Sequence, residues 1–288
     1  MTNIAILGTG RMGTAFAKRL IDVGYYVTVW NRTIKNMDTA IVAGATAAHS
    51  ILETTAADII LISLSNAEAV GDVSDKLIAS GIEGKLVIDL STLLPQETKD
   101  IGARLTAAGA DFIDCPVGGT VAPALKGALL GMAGGTEVAF KRAKPILEQL
   151  CKRIELLGPI GTGVHMKLAV NLPLAVYWKT LAEALTMLNG SGIATDVAIS
   201  MIADSSAGPT VLKNRAQVVV DTIDGMDQLG TFDIAGLAKD LDLALKQAAI
   251  SGHSMPLSEE TQKSYQQALS TGLGGFDGSS LTRHLSSN

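Results

Sequence analysis

The chain has 288 residues, 47% of them hydrophobic and 18% charged, which excludes a disordered chain and is more than one hydrophobic core usually takes, so two domains are expected. Lys and Arg total 23 against 28 Asp and Glu, a net charge of −5 with no basic block, and aromatic residues are 4%; a nucleic-acid partner, which calls for a basic stripe and stacking rings, is not expected. The longest run without a charge, residues 39–52, includes His49 and falls short of the ~20 apolar residues of a membrane span, so no membrane partner is expected either.

Residues 3–7 read as a first strand, entered from Met1 with neither a basic leader nor a small-residue cleavage site; no export signal is expected, and the expected location is cytoplasmic. A helix is predicted over 12–23, with Met12, Phe16, Leu20 and Val23 at three- and four-residue spacing and Gly24 as its stop. Strand-type runs follow at 26–30, 58–63, 85–90, 111–114, 127–133 and 153–156, with helical stretches between most of them. The stretch 95–108 is predicted helical, with Ser91 and Thr92 as candidate caps and Pro95 near the first turn. This alternation implies βαβ units and a parallel, doubly wound α/β sheet.

Beyond residues 158–163 the strand signals stop. Residues 164–188 read as one long helix closed by the 190–192 segment, with Pro173 expected to bend or split it. Further helices are predicted over 195–205, 209–220, 234–251 and 258–270. The domain boundary is placed at 161, giving an α/β domain over 1–161 and an all-helical domain over 162–288, joined by the long helix. Cys115 and Cys151 stand in no metal-ligand spacing and are expected to be buried reduced thiols, and the four histidines are scattered, so no metal is expected.

Directly after the first strand comes Gly8-Thr9-Gly10-Arg11-Met12-Gly13, a G-x-G-x-x-G pattern opening a helix. Gly8 suits a tight turn, Gly10 lets a pyrophosphate approach the backbone, and Gly13 lets helix and strand pack closely; the pattern predicts a Rossmann-type dinucleotide-binding domain. The second strand ends in Trp30 and leads into Asn31-Arg32-Thr33, where an NAD-selecting fold presents a carboxylate to the ribose. A neutral amide, a guanidinium and a hydroxyl suit a 2′-phosphate instead, so NADP is the expected cofactor, with NADPH preferred over NADH.

Further segments join this fingerprint in order: Asp89-Leu90-Ser91-Thr92, Asp114-Cys115-Pro116-Val117-Gly118-Gly119, Gly127 with 132–135, Gly161-Thr162-Gly163 with Lys167 and Asn171, Lys239-Asp240-Leu241, and Gly274-Gly275-Phe276-Asp277-Gly278-Ser279. With them the sequence resembles the β-hydroxyacid dehydrogenase family, of which 3-hydroxyisobutyrate dehydrogenase is a member and 6-phosphogluconate dehydrogenase a relation. The resemblance implies Lys167 as catalytic acid/base and Asn171 as its substrate-positioning partner. Helix geometry agrees, because residues at i and i+4 share a face and let an ammonium and an amide converge on one substrate oxygen. In reduction Lys167 stabilises the charge developing on that oxygen and protonates it; in oxidation it accepts the proton.

By the same resemblance Lys239 joins Gly8 to Gly13 and Asn31 to Thr33 in holding the cofactor, and Gly118, Gly119 and Thr120 join Lys167 and Asn171 around the substrate; Leu64, Ser65 and, at the carboxyl end of a strand, Thr92 are further cofactor candidates. Lys239 also reads as part of a solvated helix face with Asp242 and Lys246, and Ser91 and Thr92 as helix caps as readily as ligands.

Two departures from the family pattern matter. Gly118-Gly119-Thr120 stands where many members have Ser-Gly-Gly, so a hydroxyl donor to a substrate carboxylate is lost unless Thr120 replaces it. Leu172 and Pro173 follow Asn171 where a second Asn is frequent, and Tyr177 and Trp178 suit either a more apolar substrate wall or core packing. The expected function is NADP-dependent hydride transfer with a small aldehyde, ketone or β-hydroxy acid, in a homodimer built through the helical half. The alternatives are an imine reductase, disfavoured by an ammonium beside a cationic iminium, and a catalytically silent dinucleotide-binding protein, which has no use for the lysine.

Overall fold

The computed structural model describes residues 2–286, with side chains described through residue 283. The chain forms two compact units, Met1–Lys167 and Leu168–Asn288. In the first, the elements run β1 (Asn3–Leu7), α1 (Arg11–Asp22), β2 (Tyr26–Trp30), α2 (Asp38–Val42), β3 (Thr46–Ala47), α3 (Ile51–Thr54), β4 (Ile59–Ile62), α4 (Ala67–Ala79), β5 (Leu86–Asp89), α5 (Pro95–Ala107), β6 (Asp111–Asp114), β7 (Val117–Gly118), α6 (Val121–Leu125), β8 (Leu129–Gly135), α7 (Glu137–Leu150) and β9 (Cys151–Leu156). Then come α8 (Thr162–Thr186), α9 (Thr195–Asp204), α10 (Thr210–Ile223), α11 (Ile234–Ile250), α12 (Pro256–Ser270) and α13 (Leu281–Ser286).

The described strands form one sheet in the order β3-β2-β1-β4-β5-β6-β8-β7, with β9 paired to β8. Strands β1 to β6 are parallel, β8 runs antiparallel to β6 and β7, and β9 is parallel to β8. Alternate side chains reach two separate cores. Ile4, Ile6, Val29, Leu61 and Ile88 enter one, while Ala5, Leu7, Ile60, Ile62 and Val87 enter the other. A parallel sheet buried on both faces reads as the continuous apolar runs seen here rather than as an apolar–polar alternation. From β1 the chain builds outward to β2 and β3, then returns to β4 on the other side of β1. Such a reversal leaves a ligand crevice at the carboxyl ends of the strands, and the Gly8–Gly13 turn lies at that end of β1.

Strands β1, β2 and β6 match the expected bounds; β8 begins two residues late and β9 two residues early. Strands β3 and β7 are two residues each, too short to show any period. Helix α1 ends as predicted: Gly24 takes φ +93°, and Gly24 and Tyr25 donate to the carbonyls of Ile21 and Leu20, closing the left-handed helix stop.

Two expectations are corrected. The residue before α5 is Leu94, whose N–H donates to Glu97 Oε2 at 2.8 Å. Ser91 accepts from the Leu64 N–H at 3.0 Å instead of capping, and Thr92 lies two residues short of the cap position. Of the bend or split expected at Pro173, the split is the part corrected: α8 continues through it to Thr186. Leu172 on one side and Ala175, Trp178, Leu181 and Leu185 on the other pack into the core of the second unit, an apolar drive that outweighs one lost backbone bond. That core also holds Tyr265, whose hydroxyl donates to the Ala175 carbonyl at 3.0 Å. Among the described residues no helix is long and apolar enough to cross a membrane.

Candidate active site

The Gly8–Gly13 turn is shaped by what each glycine meets. Gly8 has φ +101°, and a Cβ there would lie 2.2 Å from the Ser63 carbonyl oxygen; one on Gly13 would lie 1.9 Å from the Gly8 oxygen. Gly10 differs, because a Cβ there has nothing within 4 Å. Gly10 also leads into α1 without a side-chain cap, and no acidic residue stands in the first turn, so the positive end of the helix stays open to an anion. The Thr9 hydroxyl is buried with no hydrogen-bond partner. Open space at Gly10, an uncapped helix start and an orphaned hydroxyl fit the pyrophosphate of a dinucleotide. Arg11 is exposed and Met12 packs against the core.

At the end of β2, Asn31 Oδ1 accepts the Thr9 N–H at 3.1 Å and its Nδ2 donates to the Thr33 carbonyl at 2.9 Å. The Asn31 amide thus ties the Gly8–Gly13 turn to the end of β2, while Arg32 and Thr33 beside it are exposed. At the ends of β4 and β5, Leu64 is tied to Ser91 Oγ, and the Ser91 N–H to Asp89 Oδ1 at 2.9 Å. Ser65 is exposed and Thr92 half-buried.

Asp89 faces Asp114 in the β5–β6 register, and both carboxylates are fully buried. Asp114 Oδ1 accepts the Gly161 N–H at 2.8 Å and Oδ2 the Val164 N–H at 3.0 Å. Burial, with Asp89 nearby, pushes the Asp114 carboxyl from 3.8 up to about 6 despite these amide donors. Beyond it, Gly118 lies in β7, and Thr120 precedes α6 without capping it through its side chain. Cys115 and Cys151 are free and buried; burial raises both thiols, that of Cys151 to about 12, so neither is a ready nucleophile.

Lys167 and Asn171 lie one turn apart on α8, only 8% and 4% exposed. A lysine this buried is not a snorkelling surface residue. Asn171 Nδ2 donates to Asp240 Oδ2 at 2.6 Å, and Lys239 Nζ lies 3.4 Å from Asp240 Oδ1. Asp240, named above only beside Lys239, is thereby brought against the candidate site residue Asn171. Its signal was its place on α11, where it falls on the buried face with Leu237, Leu241 and Ala244. Asp242 and Lys246 form the expected surface pair at 2.7 Å. Trp178 lies in the core of the second unit, with Tyr177 edge-on at 5.6 Å. Among the described residues no His, Cys, Asp and Glu cluster suits a metal.

Residues 3–158 match the family described as the NAD binding domain of 6-phosphogluconate dehydrogenase, and residues 161–285 the NAD-binding domain of NADP-dependent 3-hydroxyisobutyrate dehydrogenase. The chain is 31% identical over 285 residues to the mitochondrial 3-hydroxyisobutyrate dehydrogenase of Drosophila melanogaster, covering 96% of this chain and 86% of that one. It is 29% identical over 282 residues to glyoxylate/succinic semialdehyde reductase 1 of Arabidopsis thaliana, covering 96% of each. Among solved structures, 3-hydroxyisobutyrate dehydrogenase of Mycobacterium tuberculosis with L-serine superposes with a TM-score of 0.89 at 26% identity over 99% of both chains. Matched end to end in sequence and fold, the chain belongs to the β-hydroxyacid dehydrogenase family, NAD(P)-dependent oxidoreductases acting on CH–OH groups.

Proposed function

We propose that the protein reduces a small aldehyde or ketone with NADPH, or oxidises the corresponding β-hydroxy acid with NADP, and that Lys167 is its acid/base. The observation behind this reading is the near-complete burial of Lys167 one turn from Asn171, whose amide is fixed by the buried Asp240 carboxylate. When bound, the nicotinamide supplies or accepts the hydride. Lys167 stabilises the negative charge developing on the substrate oxygen and delivers the proton from Nζ; in the oxidative direction Nζ takes it back. Asn171 holds the substrate in place. NADPH is favoured because the end of β2 carries no carboxylate and leaves Arg32 exposed toward solvent.

Replacing Lys167 with Ala tests this directly. Carbonyl turnover falls by ~10²–10⁴, the usual worth of a positioned acid/base, while NADPH affinity is nearly unchanged. Cyclic imines, which can arrive already protonated, lose far less. Native carbonyl turnover in this variant with cofactor saturating rejects the assignment. The proposal extends to a cytoplasmic homodimer: Met187, Val197, Met201 and Leu229 of the second unit stay more than half exposed, and sedimentation as a 29.8 kDa monomer argues against that assembly.

A further inference from the structure

Lys167 stands near the start of α8, and an acid/base must be held closely to act, since a misplacement of about 1 Å can cost on the order of 10²-fold in rate. A helix start is normally fixed by a local Ser, Thr, Asp or Asn whose side chain takes the first free N–H groups. This helix has no such residue. Gly161 precedes it, and the Thr162 hydroxyl donates backwards to the Pro159 carbonyl at 2.8 Å. The acceptor comes from the sheet instead: Asp114, at the end of β6 and 47 and 50 residues away in sequence, takes the Gly161 and Val164 N–H groups, one on each carboxylate oxygen.

Two contacts from one rigid carboxylate fix both the height and the rotation of the first turn. The surroundings leave no slack, because a Cβ on Gly163 would lie 2.2 Å from the Met132 oxygen and 2.7 Å from Asp114 Oδ2, and one on Gly134 would lie 2.5 Å from Asp114 Oδ1. We infer that Asp114 is a positioning residue for the reaction, clamping the first turn of α8 to the sheet so that Lys167 is presented at a fixed place beside the carboxyl edge of the strands. Asp114 touches neither substrate nor cofactor in this role and acts only through the lysine. The inference rests on the proposed acid/base role of Lys167.

The test is a double-mutant cycle of Asp114→Asn with Lys167→Ala, read by single-turnover carbonyl reduction with saturating NADPH, together with NADPH affinity and amide exchange of the 161–167 segment. Asparagine can accept only one of the two N–H groups and sets its own amide hydrogens against the other. Asp114→Asn is expected to lower turnover by ~10–10²-fold, to change NADPH affinity less than about threefold, and to speed exchange at Val164. In the Lys167→Ala background the same change should alter turnover less than about threefold, because the group it positions is gone. Equal losses in both backgrounds, unchanged turnover in the single variant, or unchanged exchange each overturn the inference. Native turnover of Lys167→Ala alone instead overturns the acid/base reading. If Asp114→Asn does not fold, Val164→Pro removes the second donor in a helical turn that tolerates proline, and the cycle is read by the same turnover and NADPH-affinity comparisons, with exchange followed at Gly161 in place of residue 164.

Discussion

Gly10 and Gly13 both belong to the phosphate turn, yet alanine at each should fail in opposite ways. At Gly13 the new methyl would lie 1.9 Å from the Gly8 carbonyl oxygen, well inside the ~3.5 Å at which heavy atoms pack. Relieving an overlap of that size means moving backbone, and overpacking of this kind costs ~1–3 kcal/mol or more. At Gly10 the methyl meets nothing within 4 Å, and φ −68° with ψ −171° suits any L residue. The gain of ~0.4–1 kcal/mol from a stiffer unfolded chain is offset by alanine being the poorer helix-entry residue, so stability should stay within about 1 kcal/mol of native. The methyl then occupies the open space the pyrophosphate needs. Urea unfolding paired with NADPH fluorescence titration reads both effects: Gly13→Ala is expected to lose stability, and Gly10→Ala to keep its midpoint while binding NADPH at least tenfold more weakly. Native NADPH affinity in Gly10→Ala, or native stability in Gly13→Ala, would refute the reasoning.

Arg32→Ala should weaken NADPH by about ten- to a hundredfold, the worth of a charge-assisted contact, and leave NADH nearly unchanged; equal losses for the two in titration remove Arg32 from phosphate recognition. Asn31→Ala should weaken both cofactors together, since the Thr9 N–H loses its acceptor; a loss confined to NADPH contradicts that. Asp240→Asn should raise KM for the carbonyl substrate at least several-fold with little change in NADPH affinity, because Asn171 loses a charged acceptor; steady-state kinetics with an unaltered KM count against it. The raised Asp114 carboxyl means the folded state binds its proton more tightly than the unfolded chain. Its contribution is full below pH 3.8 and is lost as pH rises through about 6, a swing of ~3 kcal/mol. Wild type should therefore gain on Asp114→Asn in urea unfolding as pH falls from 7.5 to 4.5, and a difference independent of pH would contradict the buried-carboxylate account.

Local patterns made the first unit legible. Residues 3–7 are an apolar run that the sheet buries on both faces, 26–30 alternate buried Val27 and Val29 with less buried neighbours, and 111–114 bury Phe112 and Ile113 between two aspartates, so pattern and burial agree. The fingerprint glycines were legible because their spacing within six residues directly follows a strand and opens a helix, although the Gly8 constraint itself comes from Ser63 on the neighbouring strand's end. Asp114 and Asp240 were harder to assign. Each acts across long separations, Asp114 on the start of α8 and Asp240 on Asn171, 69 residues away, and a single sequence carries no sign of which distant amide a carboxylate will meet. The internal bonds of Asn31 were hidden for a similar reason: its place beside Arg32 points to the phosphate, and nothing local shows that the Thr9 amide, 22 residues earlier, also donates to its oxygen. Ser91 and Thr92 have the right chemistry for a cap, but the Glu97 side chain already satisfies the entry to α5.

The borders of the sheet have a consequence for how the protein behaves when crowded. An exposed strand offers a row of free backbone groups that can recruit a strand from another molecule. Here β3 and β7, at two ends of the strand order, are two residues long, too short to template a partner. The longer border strand, β9, exposes Lys152, Arg153 and Glu155, charges that an incoming strand would have to desolvate. The protein should therefore resist fibril formation at concentrations where a bare edge would nucleate it, and Lys152→Val with Arg153→Val and Glu155→Val should remove that resistance before it affects the fold.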